Sequence, residues 1–348
     1  MSSSGRKSTI RDVAVKAMVS ISTVSHVLNG TRFVEEETRQ RILDSITELD
    51  YRPNQFARSL RGAGSRTLGL IISDIREDYF AKITKAIESA ANRNGYAVIL
   101  CDSEADLGKE RLYMELLTEK GVEGMILAPV DSGSPPQGRR GHDLPIVQID
   151  RHCHGAALDY VGIENARLAS EAVHYLAALG NSRIGYLGHE ARISTMEERW
   201  RGYERAMREI GSYDEALVNM SLPHGEDSSS AIGEWMSSSP AIDALLCGNA
   251  NICLGALEAL SLPSAGGAAT ARVALATFDD LAWFRFMENP VVTVRQPTEL
   301  LGLAAFDALM ARIRDEAPAS PVEILLPAEL VPCGFHAARG AVAAGGGG

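Results

Sequence analysis

Two carboxylates stand where short apolar runs end: Asp150 follows Ile146-Val-Gln-Ile149, and Asp279 follows Val273–Phe278. Arg199, in Thr195-x-x-x-Arg199-x-x-Gly202-Tyr203, adds a permanent cation with a planar fork of donors. Tyr79-Phe80 adds adjacent aromatic faces after the first apolar run of the long C-terminal part. Carboxylates that accept from hydroxyls, a guanidinium that donates to them and flat apolar rings suit a polyhydroxylated ligand. Each residue also has a blander reading. A strand-end Asp can cap the following helix, an aromatic pair at a helix start can belong to a core, and a lone Arg can form a surface ion pair. Catalysis finds no comparable support. There is no G-x-G-x-x-G, no G-x-x-x-x-G-K-[ST] and no G-x-S-x-G, and Gly266-Gly267 has no phosphate-cradling context. His152-Cys153-His154 carries metal-binding side chains, but adjacent residues do not easily wrap one ion and no distant set has ligand spacing. No catalytic residue, cofactor or metal is expected, and an enzyme is not.

A second constellation lies near the start. Ser20-Ile-Ser-Thr-Val-Ser-His-Val-Leu-Asn29 is short, with Val24, Val27 and Leu28 on one side and Ile21, Ser22, Ser25, His26 and Asn29 on the other. Polar side chains on a helix held against a tight turn are the means by which a helix-turn-helix reads base edges in the major groove. The same pattern fits a plain three-helix bundle with a polar surface.

The elements that must position these groups follow from periodicity. Thr9-Ile-Arg-Asp12 is a capping-box start for one helix, Ser20 caps a second over Ile21–Leu28, and a third runs from about Glu36 to Leu49 with Ile42, Leu43, Ile46 and Leu49 on one face. Each is too short to stand alone, so they must pack together. Gly62-Ala-Gly-Ser65 reads as a joint. Beyond it, apolar runs at Leu68–Ile72, Ala97–Leu100, Gly124–Leu127, Ile146–Ile149, Ile184–Leu187, Ala244–Leu246 and Val273–Phe278 alternate with helices at Ile83–Asn94, Leu107–Lys120, Ala166–Leu179 and Trp200–Ile210. That alternation predicts parallel sheets covered on both faces, and about ten strands predict two sheets. The class is α/β, with an all-helical head.

Charge is partitioned in the same way. The net charge is −11, yet residues 1–66 hold 11 Lys/Arg against 7 Asp/Glu, leaving 23 against 38 for the remainder. A basic head on an acidic body is expected where only the head meets phosphates. No run is long and apolar enough to cross a membrane, the N-terminus lacks a signal-peptide core, and five scattered cysteines point to reduced thiols in the cytoplasm.

The head resembles the lactose-repressor (LacI/GalR) family in Ile10-Arg-Asp-Val-Ala14, Val19-Ser-Ile-Ser-Thr-Val-Ser-His-Val-Leu-Asn-Gly30, Thr38-Arg39 and Tyr51-Arg-Pro-Asn54 through Ala57-Arg-Ser-Leu60. The resemblance implies a transcriptional repressor whose operator affinity a small ligand controls. It implies base reading by Ile21, Ser22 and His26, and backbone or flanking contacts from Thr9, Ser20, Thr23, Ser25, Asn29, Tyr51, Asn54 and Arg58. It makes Leu60 a minor-groove wedge on a hinge helix. It extends to about residue 336 and implies a body like a periplasmic sugar-binding protein, with two doubly wound lobes and a ligand between them. Domain limits follow: helix-turn-helix 1–50, hinge 51–66, lobe one 67–165 with 297–322, lobe two 166–294 with 323–338, and a disordered tail 339–348. The resemblance assigns effector contacts to Tyr79, Phe80, Asp150, Thr195, Arg199, His224, Asn249, Asp279 and Gln296. Expected partners are double-stranded operator DNA, a small-molecule effector and a second copy of the chain, with no membrane.

Four departures from the family pattern stand out. Met18 occupies the usual turn glycine, Glu35 the usual Ser or Asp cap, Ala250 the Asp of an Asn-Asp pair, and Ile193 an arginine of the purine-binding branch. A sugar or sugar acid is favoured as effector. A purine, an effector-independent regulator and an activator remain the alternatives.

Overall fold

The computed structural model describes residues 8–29, 32–51, 64–136, 144–189, 192–222, 228–238, 241–261, 273–287 and 291–333. Asn54, Arg58, Leu60 and His224, most of the hinge, and the tail lie outside the described residues, as does the side chain of Asn29. The chain divides into two compact units, residues 1–65 and 66–348.

The first unit holds α1 (Ile10–Lys16), α2 (Ile21–Asn29) and α3 (Glu36–Glu48). Thr9 starts α1 with a capping box, its hydroxyl accepting from the Asp12 N–H at 3.4 Å while the Asp12 carboxylate accepts from the Thr9 N–H at 2.8 Å. The end of α1 is wound around Met18. The Val19 N–H donates to the Ala14 carbonyl at 3.0 Å and the Met18 N–H to the Val15 carbonyl at 3.2 Å. That doubly bonded close needs a left-handed residue, and Met18 supplies it at φ 53°. Ser20 then caps α2, accepting from the Thr23 N–H at 3.1 Å. Glu35 makes no side-chain cap to α3, although Glu36 and Glu37 place negative charge at that helix's positive end. Val13, Ala14, Ala17, Val24 and Ile42 form the buried centre, lined by Ile10, Val19, Val27, Leu28, Ile46, Leu49 and Tyr51. Leu43, expected on that face, is exposed instead, because a thirteen-residue helix packed on two short ones buries a narrower stripe.

The second unit contains two six-stranded sheets. Sheet A combines β1 (Thr67–Ile72), β2 (Ala97–Asp102), β3 (Gly124–Leu127), β4 (Ile146–Ile149), β5 (Asp159–Gly162) and a late strand β11 (Glu323–Leu325), in the order β11-β5-β4-β3-β1-β2 and all parallel. Its helices include α4 (Asp78–Arg93), α5 (Leu107–Glu119) and α10 (Thr298–Ile313). Sheet B combines β6 (Ile184–Leu187), β7 (Val218–Asn219), β8 (Ala244–Cys247), β9 (Ala274–Phe278), β10 (Val291–Arg295) and β12 (Glu329–Cys333), in the order β12-β10-β9-β8-β6-β7. Only β12 is antiparallel to its neighbour. Around it lie α6 (Asn165–Ala178), α7 (Ser194–Glu209), α8 (Ser228–Ser238) and α9 (Ala250–Ser261).

The chain passes between sheets after β5, after β10 and between β11 and β12. The last passage corrects the expected limit of lobe one, because Glu323–Leu325 pairs with β5 and belongs to the first lobe. A half-buried ion pair holds that strand. Arg312 forks onto Asp159 at 2.6 and 2.7 Å, and Asp159 also accepts from the Val322 N–H at 2.7 Å. The helices α4 and α7 begin at Asp78 and Ser194, several residues before the expected Ile83 and Trp200. The Ser194-Thr195 opening of α7 had hidden its start, and the aromatic pair Tyr79-Phe80 turns out to lie within the first turn of α4. In lobe two, α7 lies directly on α6: a Cβ at Gly202 would sit 2.1 Å from the Ala166 carbonyl oxygen, so no other residue permits this approach. Gly202 thereby fixes the helix that carries Arg199.

Candidate functional site: a cleft between the lobes

Each sheet changes winding direction beside its first strand, and open α/β sheets take ligands outside the carboxyl ends of their strands at such points. Two of the expected residues, Asp150 and Asp279, stand at such strand ends. Asp150 follows β4 and Asp279 follows β9, and the two occupy equivalent positions. Each is left-handed, at φ 65° and 74°. Each backbone N–H donates to the neighbouring strand, Asp150 to the Val161 carbonyl at 2.9 Å and Asp279 to the Val294 carbonyl at 3.0 Å. Aspartate tolerates this conformation better than most residues. The turn directs each carboxylate off its strand end.

Both carboxylates are held. The Tyr79 hydroxyl donates to Asp150 Oδ1 at 2.8 Å, and the Tyr160 hydroxyl donates to the Asp150 backbone carbonyl at 2.9 Å. Gln296, on the second crossing, donates its amide N–H to Asp279 Oδ1 at 2.7 Å. The Gln296 side-chain oxygen is buried without a hydrogen-bond partner, so it remains an acceptor. Burial pushes Asp279 up to about 6, against the stabilising Arg199 and Gln296, and Asp150 adds to the rise. Burial also lifts the Tyr79 phenol well above its usual range, helped by Asp150 beside it.

Arg199 is 3% exposed. Its Nε donates to Asn165 Oδ1 at 2.8 Å, its Nη1 donates to the Gly248 carbonyl at 2.6 Å, and its guanidinium lies 3.8 Å from the Phe278 ring centre. Its charge opposes the burial-driven rise of Asp279 and Glu198 in its own lobe and of Tyr79 in the other. The arginine is therefore no surface ion-pair residue.

Other assignments land less centrally. Phe80 is 1% exposed and belongs to the core of lobe one. Thr195 is buried in the first turn of α7. Asn249 accepts from the Ile252 N–H at 2.9 Å and so caps α9, the helix whose first residue is Ala250. Among the described residues, no hydrogen bond ties Thr195 or Asn249 to the two carboxylates.

Sequence reasoning missed Arg151 and Glu77. Arg151 is 8% exposed, lies over the Phe80 ring at 5.7 Å and brings Nε to 3.4 Å from Asp150 Oδ2. That is ion-pair range without hydrogen-bond geometry, and its Nε and Nη1 are buried without a partner. Glu77, before α4, accepts from Asn251 Nδ2 of α9 across the cleft at 3.3 Å. Burial pushes it up to about 7; Arg151 opposes the rise, while Asp279, Asp150 and Asp74 add to it. Only the adjacency of Arg151 to Asp150 could have signalled its place, and nothing in the sequence signalled Glu77.

In the head, Ile21 and Ser22 are exposed on α2, while Thr23, Ser25 and His26 are half-buried. The Ser20 hydroxyl meets those of Ser22 at 2.7 Å and Thr23 at 2.8 Å as well as capping the helix. Tyr51 packs partly into the head core, and Thr9 sits in its capping box.

Among the described residues, no group of three His, Cys, Asp or Glu side chains could hold a metal ion, and no helix is long and apolar enough to cross a membrane.

Comparison with known proteins agrees with this architecture. Residues 9–54 match the model of bacterial regulatory proteins of the lacI family, and residues 65–332 match that of periplasmic binding proteins and the sugar-binding domain of the LacI family. The transcriptional repressor PurR of Pectobacterium carotovorum is 32% identical over 313 residues, covering 88% of this chain and 90% of that one. The transcriptional regulator CelR, solved as a cellobiose complex, is 27% identical with a TM-score of 0.65, covering 93% of this chain and 98% of that one. The Lac repressor dimer bound to operator and an anti-inducer is 21% identical with a TM-score of 0.79, over 94% of this chain and 98% of that one, and shows the shared fold. The chain belongs to the LacI family: it is a DNA-binding transcriptional repressor with a ligand-binding body, and not an enzyme.

Proposed function

We propose that the chain is a homodimeric cytoplasmic repressor whose hold on a roughly palindromic operator is set by a neutral sugar bound between its lobes. The observation that carries the ligand class is the pair Asp150 and Asp279, equivalent carboxylates at strand ends of the two lobes. Each accepts from hydroxyls, so a polyol that bridges them draws the lobes together. Arg151 suits the same ligand: its unpartnered nitrogens donate to a hydroxyl oxygen whose hydrogen goes to Asp150. A sugar acid fits less well. Three carboxylates (Glu77, Asp150 and Asp279) already share the cleft with two arginines, and burial has pushed Glu77 and Asp279 toward their neutral forms. CelR, which binds cellobiose, supports a sugar.

The purine reading keeps one specific support, the PurR relatives. Against it stand Phe80, which is committed to the core, and Phe278, whose ring is covered by Arg199.

For DNA, Ile21, Ser22 and His26 read bases, and Leu60 wedges the minor groove at the operator centre. Pairing with a second copy is supported by the Lac repressor, solved as a dimer on its operator. The ligand acts only through different affinities for the two lobe arrangements, which set the spacing of the two hinges. A thermal-shift panel of neutral sugars, sugar acids and purines tests the ligand class. Stabilisation by a neutral sugar alone is expected; a purine as the single stabilising compound would overturn it.

A further inference from the structure

We propose that the seam between the lobes is a proton-gated latch, in which His152 and His154 of lobe one close on Glu198 and Glu197 of lobe two. This goes beyond the ligand reading and does not depend on which compound binds.

The backbone of the seam is already knitted. The Ser194 N–H donates to Ser132 Oγ at 2.7 Å, the Ser132 N–H to the Arg192 carbonyl at 2.7 Å, the His154 N–H to the Ser132 carbonyl at 2.8 Å and the His152 N–H to Ser194 Oγ at 3.0 Å. These bonds hold the two histidines over the first turns of α7. His154 Nε2 lies 3.1 Å from Glu197 Oε2, and His152 Nδ1 lies 3.7 Å from Glu198 Oε1. His152 Nδ1 is buried and has no hydrogen-bond partner. Asn165 fixes the facing carboxylate by donating to Glu198 Oε2 at 3.0 Å.

The chemistry of that gap depends on one proton. A neutral imidazole carries one N–H and meets the carboxylate as donor or acceptor according to its tautomer, so only one of its two nitrogens can donate. A proton taken from solvent turns the same gap into a charge-assisted hydrogen bond, and histidine changes charge between about pH 5 and 8. The surrounding groups do not cancel this effect. His152 faces Glu198 of α7 and the Tyr160 ring of β5 at 4.8 Å, with His154 at 5.4 Å and Asp150 and Arg151 preceding it in its own loop. Glu198 also feels Arg199 and Asp150, and Tyr160 feels Glu323. Glu197 is shared between His154 and Arg201, the latter at 2.5 Å. Glu110 and Asp131 lie against Cys153, between the two histidines. Burial raises Glu198, and across the cleft it raises Glu77 at its contact with Asn251. Glu198 and Glu77, each at a contact across the seam, hold protons more tightly when that contact buries them. Closure therefore takes up protons, and acid favours it.

The five cysteines are buried, so spin labels can be placed on Glu115→Cys in α5 and Glu234→Cys in α8 of the full chain. Intramolecular distances are then read by pulsed electron resonance at pH 6.0 and 8.5, with labelled chain diluted in unlabelled chain. The closed-to-open ratio is expected to be about ten-fold higher at pH 6.0, as a roughly ten-fold difference in proton affinity between the two arrangements provides. In His152→Gln/His154→Gln the response should shrink to less than about three-fold; Glu197→Gln/Glu198→Gln serves if that variant does not fold. A wild-type distribution identical at both pH values would overturn the latch, as would a full pH response in the double variant.

Discussion

The Arg199 guanidinium lies 3.8 Å from the centre of the Phe278 ring, while its Nε and Nη1 donate to Asn165 and to the Gly248 carbonyl. One side chain thus ties the start of α6, the end of β8 and the end of β9 together. The resemblance alone suggests that truncating this arginine removes effector binding and little else. The geometry requires more. Arg199→Ala strands two buried acceptors and opens a cavity, which costs the body on the order of 2–4 kcal/mol. Calorimetry should show a lowered Tm for the body together with a lost effector response. An unchanged Tm would mean that the arginine is not built into lobe two.

Asp150 and Asp279 give a cleaner separation of ligand binding from stability. Asparagine keeps the shape and tolerates the left-handed backbone that both positions adopt. Asp150→Asn and Asp279→Asn should each weaken the effector by about 10- to 100-fold, the loss expected for charge-assisted hydrogen bonds. Titration calorimetry against the sugar found in the panel measures this. If only one substitution weakens binding, the ligand does not bridge the lobes.

Much of the architecture was legible because burial on both faces writes continuous apolar runs. Seven strands announced themselves in that way, and Gly202 and Arg199 carried recognisable spacing. The strands β5, β7, β10, β11 and β12 did not announce themselves. β5 begins on Asp159, whose carboxylate is acceptable there only because Arg312, 153 residues later, closes on it. β11 alternates exposed and half-buried residues as an edge strand does. The site divides in the same way. Asp150 and Asp279 were legible as strand-end carboxylates, while the roles expected of Arg199 and Gln296 came from the family resemblance. Arg151, Glu77, His152 and His154 were not legible, because their partners come from the other lobe or from a distant helix. A partner 43 residues away leaves no local signature.

The pH profile of the body has a definite sign. Asp279 is pushed up to about 6 and Glu77 to about 7, both above their ordinary values and both chiefly by burial. Each group binds its proton more tightly folded than unfolded, so its contribution is fully present below the unfolded value and is lost as pH rises through the folded one. These two groups should therefore make the Tm of the full chain fall between about pH 4 and 7. Asp279→Asn should flatten part of that fall. A profile that rises over this window, or one that the substitution leaves untouched, would contradict the placement of these carboxylates.

Met18 holds the turn before the reading helix at φ 53° with an exposed side chain. A left-handed non-glycine residue costs about 1–2 kcal/mol, part of which glycine gives back as entropy in the unfolded chain. Met18→Gly should thus stabilise the head by about 0.5 kcal/mol without altering which operator bases are preferred. Denaturant unfolding of the head and a selection from random DNA measure the two effects. A destabilised head would show that the methionine side chain contributes packing beyond its backbone role.

The central claim is that a ligand between the lobes controls DNA binding by the head. Fluorescence anisotropy of an operator selected from random DNA by the full chain, titrated with the sugar that most raises the Tm, tests it most directly. The operator Kd should change by at least about ten-fold with wild-type protein and should scarcely change with Asp150→Asn. An operator affinity that no body-stabilising ligand alters would contradict the account.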